Sequence, residues 1–159
     1  MTKISLAVGC ILIAFCAVPV WGLDVAVSGD WSGVISSTDL MGGADTDLNS
    51  SYTSNSNQGA VTITGAADDS DLWRLDVRRS DAVWHNGLAI SVKRTSSGTG
   101  GGAVSGGTDY IAAGAVDTEF FRGRGDRSAI EFEFKLSGVS VQVPPNSYAT
   151  SIILTVVDI

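Results

Sequence analysis

The sequence predicts an all-β protein, an Ig-like antiparallel β-sandwich with a jelly-roll-like barrel as the alternative. Three observations indicate this class. Apolar and polar residues alternate with a period of two along much of the chain, turn-forming clusters separate the alternating segments, and no segment after the N-terminal apolar run shows the period of an amphipathic helix. Several short strands with turns between them are typical of a sandwich or a barrel.

Residues 1–22 have the pattern of a secretory signal peptide. Lys3 precedes an apolar run at residues 4–20, and cleavage is expected before Leu23. The alternative is a transmembrane anchor, for which the run is at the short limit of length. We therefore expect an exported protein, in the periplasm, at the cell surface or outside the cell, with a single domain at residues 23–159 and no membrane span after cleavage.

Composition narrows the possible partners. The chain has 17 acidic and 10 basic residues, a net charge of −7, and both of its cysteines, Cys10 and Cys16, lie in the predicted signal peptide. An acidic chain repels phosphate backbones, which excludes nucleic acid as an expected partner. Without cysteine, residues 23–159 must be stabilised by packing and not by disulfides.

The segment Leu23–Ile35 predicts one strand, followed by a long loop at Ser36–Gln58 with a short edge strand inside it. Gly29 and Gly33 indicate a bulge or a close backbone approach. Four apolar residues of the strand share one parity: Val25, Val27, Trp31 and Ile35.

The middle of the chain predicts strands at Ala60–Gly65 and Leu72–Arg79. Asn86-Gly87 is the strongest hairpin signal, because both residues tolerate the positive φ of a type I′ turn. Thr95–Thr108 holds six glycines and predicts a mobile loop without regular structure.

The end of the chain predicts a hairpin and a central strand. Ile130–Leu136 and Val139–Val143 both alternate, and a two-residue Ser137-Gly138 turn would place their apolar residues on one face. Tyr148–Val157 is apolar at both parities, which predicts a strand with a neighbour on each side.

The residues needed for catalysis are scarce, and we expect the protein not to be an enzyme. Residues 23–159 contain no cysteine, and the one histidine, His85, lies beside a predicted turn without a partner set that would form a triad. Glu131 and Glu133 share one outward strand face, where carboxylates are more simply solvated than paired across a cleft.

Candidate ligand residues are few. Asp45, Asp47 and Asn49 alternate like the first ligands of a calcium loop, but Ser50 and Ser56 stand where that loop needs Gly and Glu. They are weak calcium candidates, a solvated loop is the simpler interpretation, and no cofactor is expected.

A second set of residues could contact a sugar or an anion. Aromatic faces stack on sugar rings, and arginines bind hydroxyls and anions. The simpler interpretation is a charged outward strand face. The candidates are Trp84, Tyr110, Arg74 and Arg78.

The chain resembles small secreted β-sandwich subunits of bacterial surface structures, fimbrial and spore-coat-U-like. The resemblance rests on the signal peptide, on Val25-Val27-Gly29-Trp31, and on the closing segment Tyr148–Val157. It implies a subunit whose N-terminal strand completes the sandwich of a neighbour, a form of β-augmentation. The strand-exchange candidates are Val25, Val27, Trp31 and Ile35. The chain differs from these families in having no mature disulfide and in placing Asp158 next to last.

Together these observations predict a non-enzymatic, exported structural subunit of a cell-surface filament, coat or sheath. The alternative is a carbohydrate-binding or adhesive surface module. The expected partners are further copies of the chain, other surface proteins and, for the alternative, glycans.

Overall fold

The computed structural model describes residues 4–10, 22–42 and 46–159. These residues form twelve β-strands and one 3₁₀ turn at Ser37–Asp39, with no α-helix among them. In chain order the strands are β1 (Ile4–Cys10), β2 (Asp24–Ser28), β3 (Trp31–Ile35), β4 (Ser51–Thr53), β5 (Gly59–Thr64), β6 (Leu72–Val83), β7 (Ala89–Arg94), β8 (Ala103–Ser105), β9 (Ile111–Ala112), β10 (Thr118–Arg124), β11 (Arg127–Ser137) and β12 (Ser147–Asp158).

The strands form two sheets that pack face to face. The first sheet has the order β3-β1-β12-β6-β10-β8, and the second has the order β2-β5-β11-β7-β9 with β4 also beside β11. Neighbouring strands are antiparallel except β1 and β12, which run parallel. The described strands do not close into a barrel, so the predicted β-sandwich is confirmed.

The core lies between the inner faces of the two sheets. Period-two alternation places Trp73, Leu75 and Val77 of β6 inside, as predicted, and all three are fully buried. Aromatic rings join the sheets: Phe120 of β10 meets Phe132 of β11 edge-on at 6.3 Å. Burying each such side chain stabilises the fold by about 1.5–3 kcal/mol.

The predicted strand Leu23–Ile35 is two strands, and the prediction of a single strand is wrong. β2 lies in the second sheet and β3 in the first, and the chain crosses between them at Gly29-Asp30. Gly29 has a φ of +110°, and a Cβ there would overlap the Gln58 carbonyl oxygen. The predicted close backbone approach at this glycine is therefore confirmed.

The predicted hairpin at Ser137-Gly138 is wrong, because Val139–Val143 is not a strand. β11 pairs along one edge with β7 and along the other with β5 and β4, which leaves no edge for a following strand. Val139 and Val143 are buried and anchor this loop on the core, whereas Val141 between them is exposed.

The turn at Asn86-Gly87 exists, but the predicted type I′ hairpin is wrong. The Leu88 N–H donates to the His85 carbonyl at 3.0 Å. Neither central residue has a positive φ. β6 and β7 lie in different sheets, so this turn carries the chain from one sheet to the other.

The glycine-rich segment Thr95–Thr108 has more regular structure than predicted. It contains β8, and Thr99 forms an isolated bridge with Ser128. The Arg127 guanidinium donates to the backbone carbonyls of Gly98, Gly100 and Gly102, which fixes this part of the segment.

β12 is flanked on both sides, as its sequence predicts. β6 pairs with it from Ala149 to Asp158, and β1 pairs with its first half. The other side of β12 therefore depends on a segment that lies inside the predicted signal peptide.

Candidate functional site

The candidate functional site is the position that β1 occupies between β3 and β12. β1 pairs with β12 over six residues, from Ser5 opposite Ser147 to Cys10 opposite Ile152. Its other edge pairs with all of β3. If β1 were removed, β3 and β12 would face each other across a gap one strand wide, about 10 Å. We call this position the β1 slot.

On the β12 side of the slot, a side-chain hydrogen bond joins β12 to the neighbouring strand β6. Tyr148, Thr150 and Ile152 are buried. The Thr150 hydroxyl donates to an Asp81 carboxylate oxygen at 2.7 Å, and the same carboxylate lies 3.4 Å from Arg79. β12 also pairs with β6 from Ala149 to Asp158, so β1 is not the only strand that positions β12.

The four strand-exchange candidates lie on two different strands. Val25 and Val27 of β2 stand opposite Ile63 and Val61 of β5, in the second sheet. Within this chain, β2 therefore pairs in its own sandwich, at the outer edge of the second sheet.

The other two candidates belong to the wall of the slot. Trp31 stacks on Phe134 of the opposite sheet, with ring centres 6.3 Å apart and planes 3° apart. Ile35 is buried in the core. β1 supplies the strand pairing of β3 within the first sheet. The side chains of Trp31 and Ile35 pack β3 against the second sheet.

Each of the ligand candidates Trp84 and Tyr110 has a cationic side chain over its ring. Trp84 follows β6, donates through its indole N–H to the Leu88 carbonyl at 2.9 Å, and carries the Arg79 guanidinium 5.2 Å above its ring. Tyr110 precedes β9 in the second sheet, and the ammonium groups of Lys93 and Lys135 lie 4.9 and 5.1 Å from its ring centre.

The two arginine candidates are paired with carboxylates of the same sheet. Arg74 makes two hydrogen bonds to Asp76, at 2.7 and 2.9 Å, and these raise the pKa of Arg74. Arg78 lies 3.4 Å from Asp117. Both therefore contribute to a charged outer strand face, the simpler of the two interpretations drawn from the sequence.

Of the three calcium candidates, the structure describes Asp47 and Asn49. Asp45 lies outside the described residues. One Asp47 carboxylate oxygen accepts the backbone N–H groups of Leu48 and Val141. Among the residues described, no group of three or more His, Cys, Asp or Glu side chains could hold a metal ion.

His85 is engaged in local structure. Its Nδ1 accepts the Gly87 backbone N–H at 3.1 Å, and its ring meets Tyr148 edge-on.

Comparison with known proteins identifies no relative. The chain matches no protein-family model, no curated protein and no solved structure. The resemblance to fimbrial and spore-coat-U-like subunits therefore stays a prediction. In the part of the chain that the structure describes, no helix has the length and apolar character to span a bilayer.

On the outer face of the second sheet, Glu133 forms a hydrogen bond and an ion pair with neighbouring side chains. Its carboxylate accepts the Tyr110 hydroxyl at 2.7 Å and the Lys93 ammonium at 2.8 Å. Burial acts to raise the pKa of Glu133, but hydrogen bonds from Lys93 and Tyr110 bring it below the ordinary value of 4.5.

This arrangement predicts an acid-dependent contribution to stability. Because folding lowers the pKa of Glu133, its contribution is present above about pH 5.5 and is lost as the pH falls through the lowered pKa. We expect Glu133→Gln to lower the free energy of unfolding by about 1–2 kcal/mol at pH 7 and by much less at pH 3. Urea unfolding at both pH values measures this. Glu131→Gln is the control, and an equal loss for Glu133→Gln at both pH values would contradict the assignment.

Proposed function

We propose that this protein is an exported, non-enzymatic structural subunit of a surface assembly, and that copies associate by placing a strand in the β1 slot. One observation carries the proposal. The strand that completes the first sheet, β1, lies within the predicted signal peptide, so cleavage before Leu23 would remove it.

Removal of β1 would leave backbone groups without partners. Residues 147–152 of β12 and the whole of β3 would lose the hydrogen bonds that β1 supplies. Each buried backbone group without a partner costs about 1–3 kcal/mol. An open edge of this length is a template for a strand from another chain, which would restore the pairing.

β2 is the best candidate for the incoming strand. It lies directly after the predicted cleavage site, and it pairs along one edge only, with β5. Its five residues nearly match the six positions of β12 that β1 occupies. Exchange would require β2 to leave its own β5 and pair beside β12 of a neighbour, as in domain swapping.

The mass of the processed chain tests the proposal. We expect residues 23–159 to form dimers or longer assemblies in light scattering and electron microscopy at micromolar concentration. The matched control is the chain that keeps residues 1–22, produced without export, in which β1 fills the slot and the protein stays monomeric. A stable, soluble monomer of residues 23–159 at high concentration would contradict the proposal.

The carbohydrate-binding alternative stays a prediction without a specific observation in its favour. Cationic side chains already lie over the rings of the aromatic candidates Trp84 and Tyr110.

A further inference from the structure

Asn86 differs from the other asparagines of the chain because glycine follows it. In an Asn-Gly pair, the backbone nitrogen of the glycine can attack the side-chain carbonyl of the asparagine and close a five-membered succinimide ring. Glycine favours this attack because it has no Cβ to hinder the approach. Both Asn86 and Gly87 are exposed, in the turn between β6 and β7. The other four asparagines precede serine or glutamine: Asn49, Asn55, Asn57 and Asn146.

The hydrogen bond that closes this turn leaves the reacting groups available. It runs from the Leu88 N–H to the His85 carbonyl at 3.0 Å, and it uses neither the Asn86 side chain nor the Gly87 N–H. The Asn86 side-chain amide has no hydrogen-bond partner among the described residues. No side-chain contact therefore holds the Asn86 amide away from the Gly87 nitrogen.

His85 places a base at the proton that must leave. The Gly87 N–H donates to the His85 Nδ1 at 3.1 Å, within the distance at which a general base acts. A neutral imidazole accepts at one ring nitrogen and is well suited to proton transfer near neutral pH. The N–H lies in the plane of the peptide group, whereas the attack uses electron density above that plane. The imidazole therefore does not occupy the direction from which the Asn86 carbonyl approaches.

The folded chain holds this imidazole in place. The His85 ring meets the ring of Tyr148 edge-on, with ring centres 6.2 Å apart and planes at 60°, and Tyr148 is buried. The Tyr148 hydroxyl in turn donates to the Pro144 carbonyl at 2.5 Å. An unfolded chain lacks these contacts, so the alignment of the base with the Gly87 N–H belongs to the folded state.

We propose that Asn86-Gly87 is a site of self-deamidation in which His85 acts as the general base. The His85 Nδ1 takes the Gly87 proton as the Gly87 nitrogen forms a bond to Cγ of Asn86. The bond between Cγ and the side-chain nitrogen breaks, and this nitrogen leaves as ammonia with the proton returned from His85. Water then hydrolyses one of the two C–N bonds of the succinimide to the Gly87 nitrogen, which gives aspartate or isoaspartate at residue 86.

The modification would change a closely packed turn. Either product adds one negative charge, and isoaspartate also adds one carbon to the backbone. The turn has little room for a longer backbone, because a Cβ on Gly138 would overlap the Gly87 carbonyl oxygen. The Val143 side chain also lies 3.9 Å from the position that a Cβ of Gly87 would take. We therefore expect the isoaspartate form to unfold at a lower temperature than the unmodified chain.

The test is incubation of the full chain, residues 1–159, at neutral pH, followed by peptide mapping that separates asparagine, aspartate and isoaspartate. We expect Asn86 to convert faster than the other four asparagines. We also expect its conversion to be at least about tenfold faster in the folded chain than in the same chain unfolded in guanidinium chloride, because only the folded chain aligns the base. Slower conversion in the folded chain would show that the turn protects Asn86 and would overturn the proposal.

Substitution of His85 separates a base from a residue that only holds the turn. His85→Asn places an amide oxygen close to the position of Nδ1, so it keeps a hydrogen-bond acceptor for Gly87 but removes the base. We expect this variant to convert residue 86 about tenfold more slowly than the native chain, and His85→Leu to be equally slow. A native rate in His85→Asn would overturn the role of His85. If these variants do not fold, the comparison of folded and unfolded native chain still decides the proposal.

Discussion

Arg127→Met is expected to lower the free energy of unfolding by about 3–5 kcal/mol, one of the two largest effects of any single substitution considered. Arg127 is only 7% exposed. Its guanidinium donates to the backbone carbonyls of Ser97, Gly98, Gly100 and Gly102. Methionine keeps the length of the side chain but leaves four carbonyls without this donor.

The matched control is Arg124→Met, three residues earlier. Arg124 is exposed, and its loss should change stability by no more than about 0.5 kcal/mol. Urea unfolding of both variants, with amide exchange of residues 97–102, measures the difference. Similar stability for the two variants would show that the carbonyl contacts of Arg127 contribute little.

Trp73→Ala is expected to lower the free energy of unfolding by a similar amount, about 3–5 kcal/mol. The indole is fully buried, meets Phe121 edge-on, and donates to the Gly125 carbonyl at 2.9 Å. It lies directly over Gly123 of β10, where any Cβ would overlap the ring. Removing the indole therefore leaves both a large cavity and an unpaired carbonyl.

Leu72→Ala is the matched control for Trp73, because the neighbouring side chain is half exposed. Leu72→Ala should lower the free energy of unfolding by less than about 1 kcal/mol. The midpoints of chemical unfolding measure both substitutions. If Trp73→Ala cost less than Leu72→Ala, the packing of β6 against β10 would not be the source of stability that the structure indicates.

Strands with strict alternation could be predicted from the sequence. β5 and the central part of β6 follow a period of two, and their buried apolar residues are Val61 and Ile63 in β5 and Trp73, Leu75 and Val77 in β6. In these segments local pattern and burial agree, because each strand has one face on the core.

Strand pairing could not be predicted in the same way. The Ser137-Gly138 hairpin satisfied every local rule, but both edges of β11 are taken by strands from earlier in the chain. Competition between strands for one edge depends on the whole sheet and leaves no local signal.

Long-range polar contacts were also missed. Arg127 contacts carbonyls about 25–30 positions earlier in the sequence, and a glycine-rich segment alone predicts a mobile loop. Long-range contacts of this kind can be recognised only when the fold is known.

Part of the candidate site was visible in the sequence. The apolar character of Tyr148–Val157 predicted a flanked strand, and β12 has β6 and β1 as neighbours. That β1 belongs to the predicted signal peptide was not foreseen, because a leader is normally set aside from fold prediction.

One disulfide tests the central proposal, exchange of β2 into the β1 slot, most directly. Ala26 of β2 stands directly opposite Thr62 of β5, and residues 23–159 contain no cysteine of their own. In the processed chain with Ala26→Cys and Thr62→Cys, oxidation would lock β2 to its own sandwich. Strand exchange by β2 predicts a monomer in the oxidised state and an assembly after reduction, measured by light scattering on one sample. The same mass in both states would contradict strand exchange by β2.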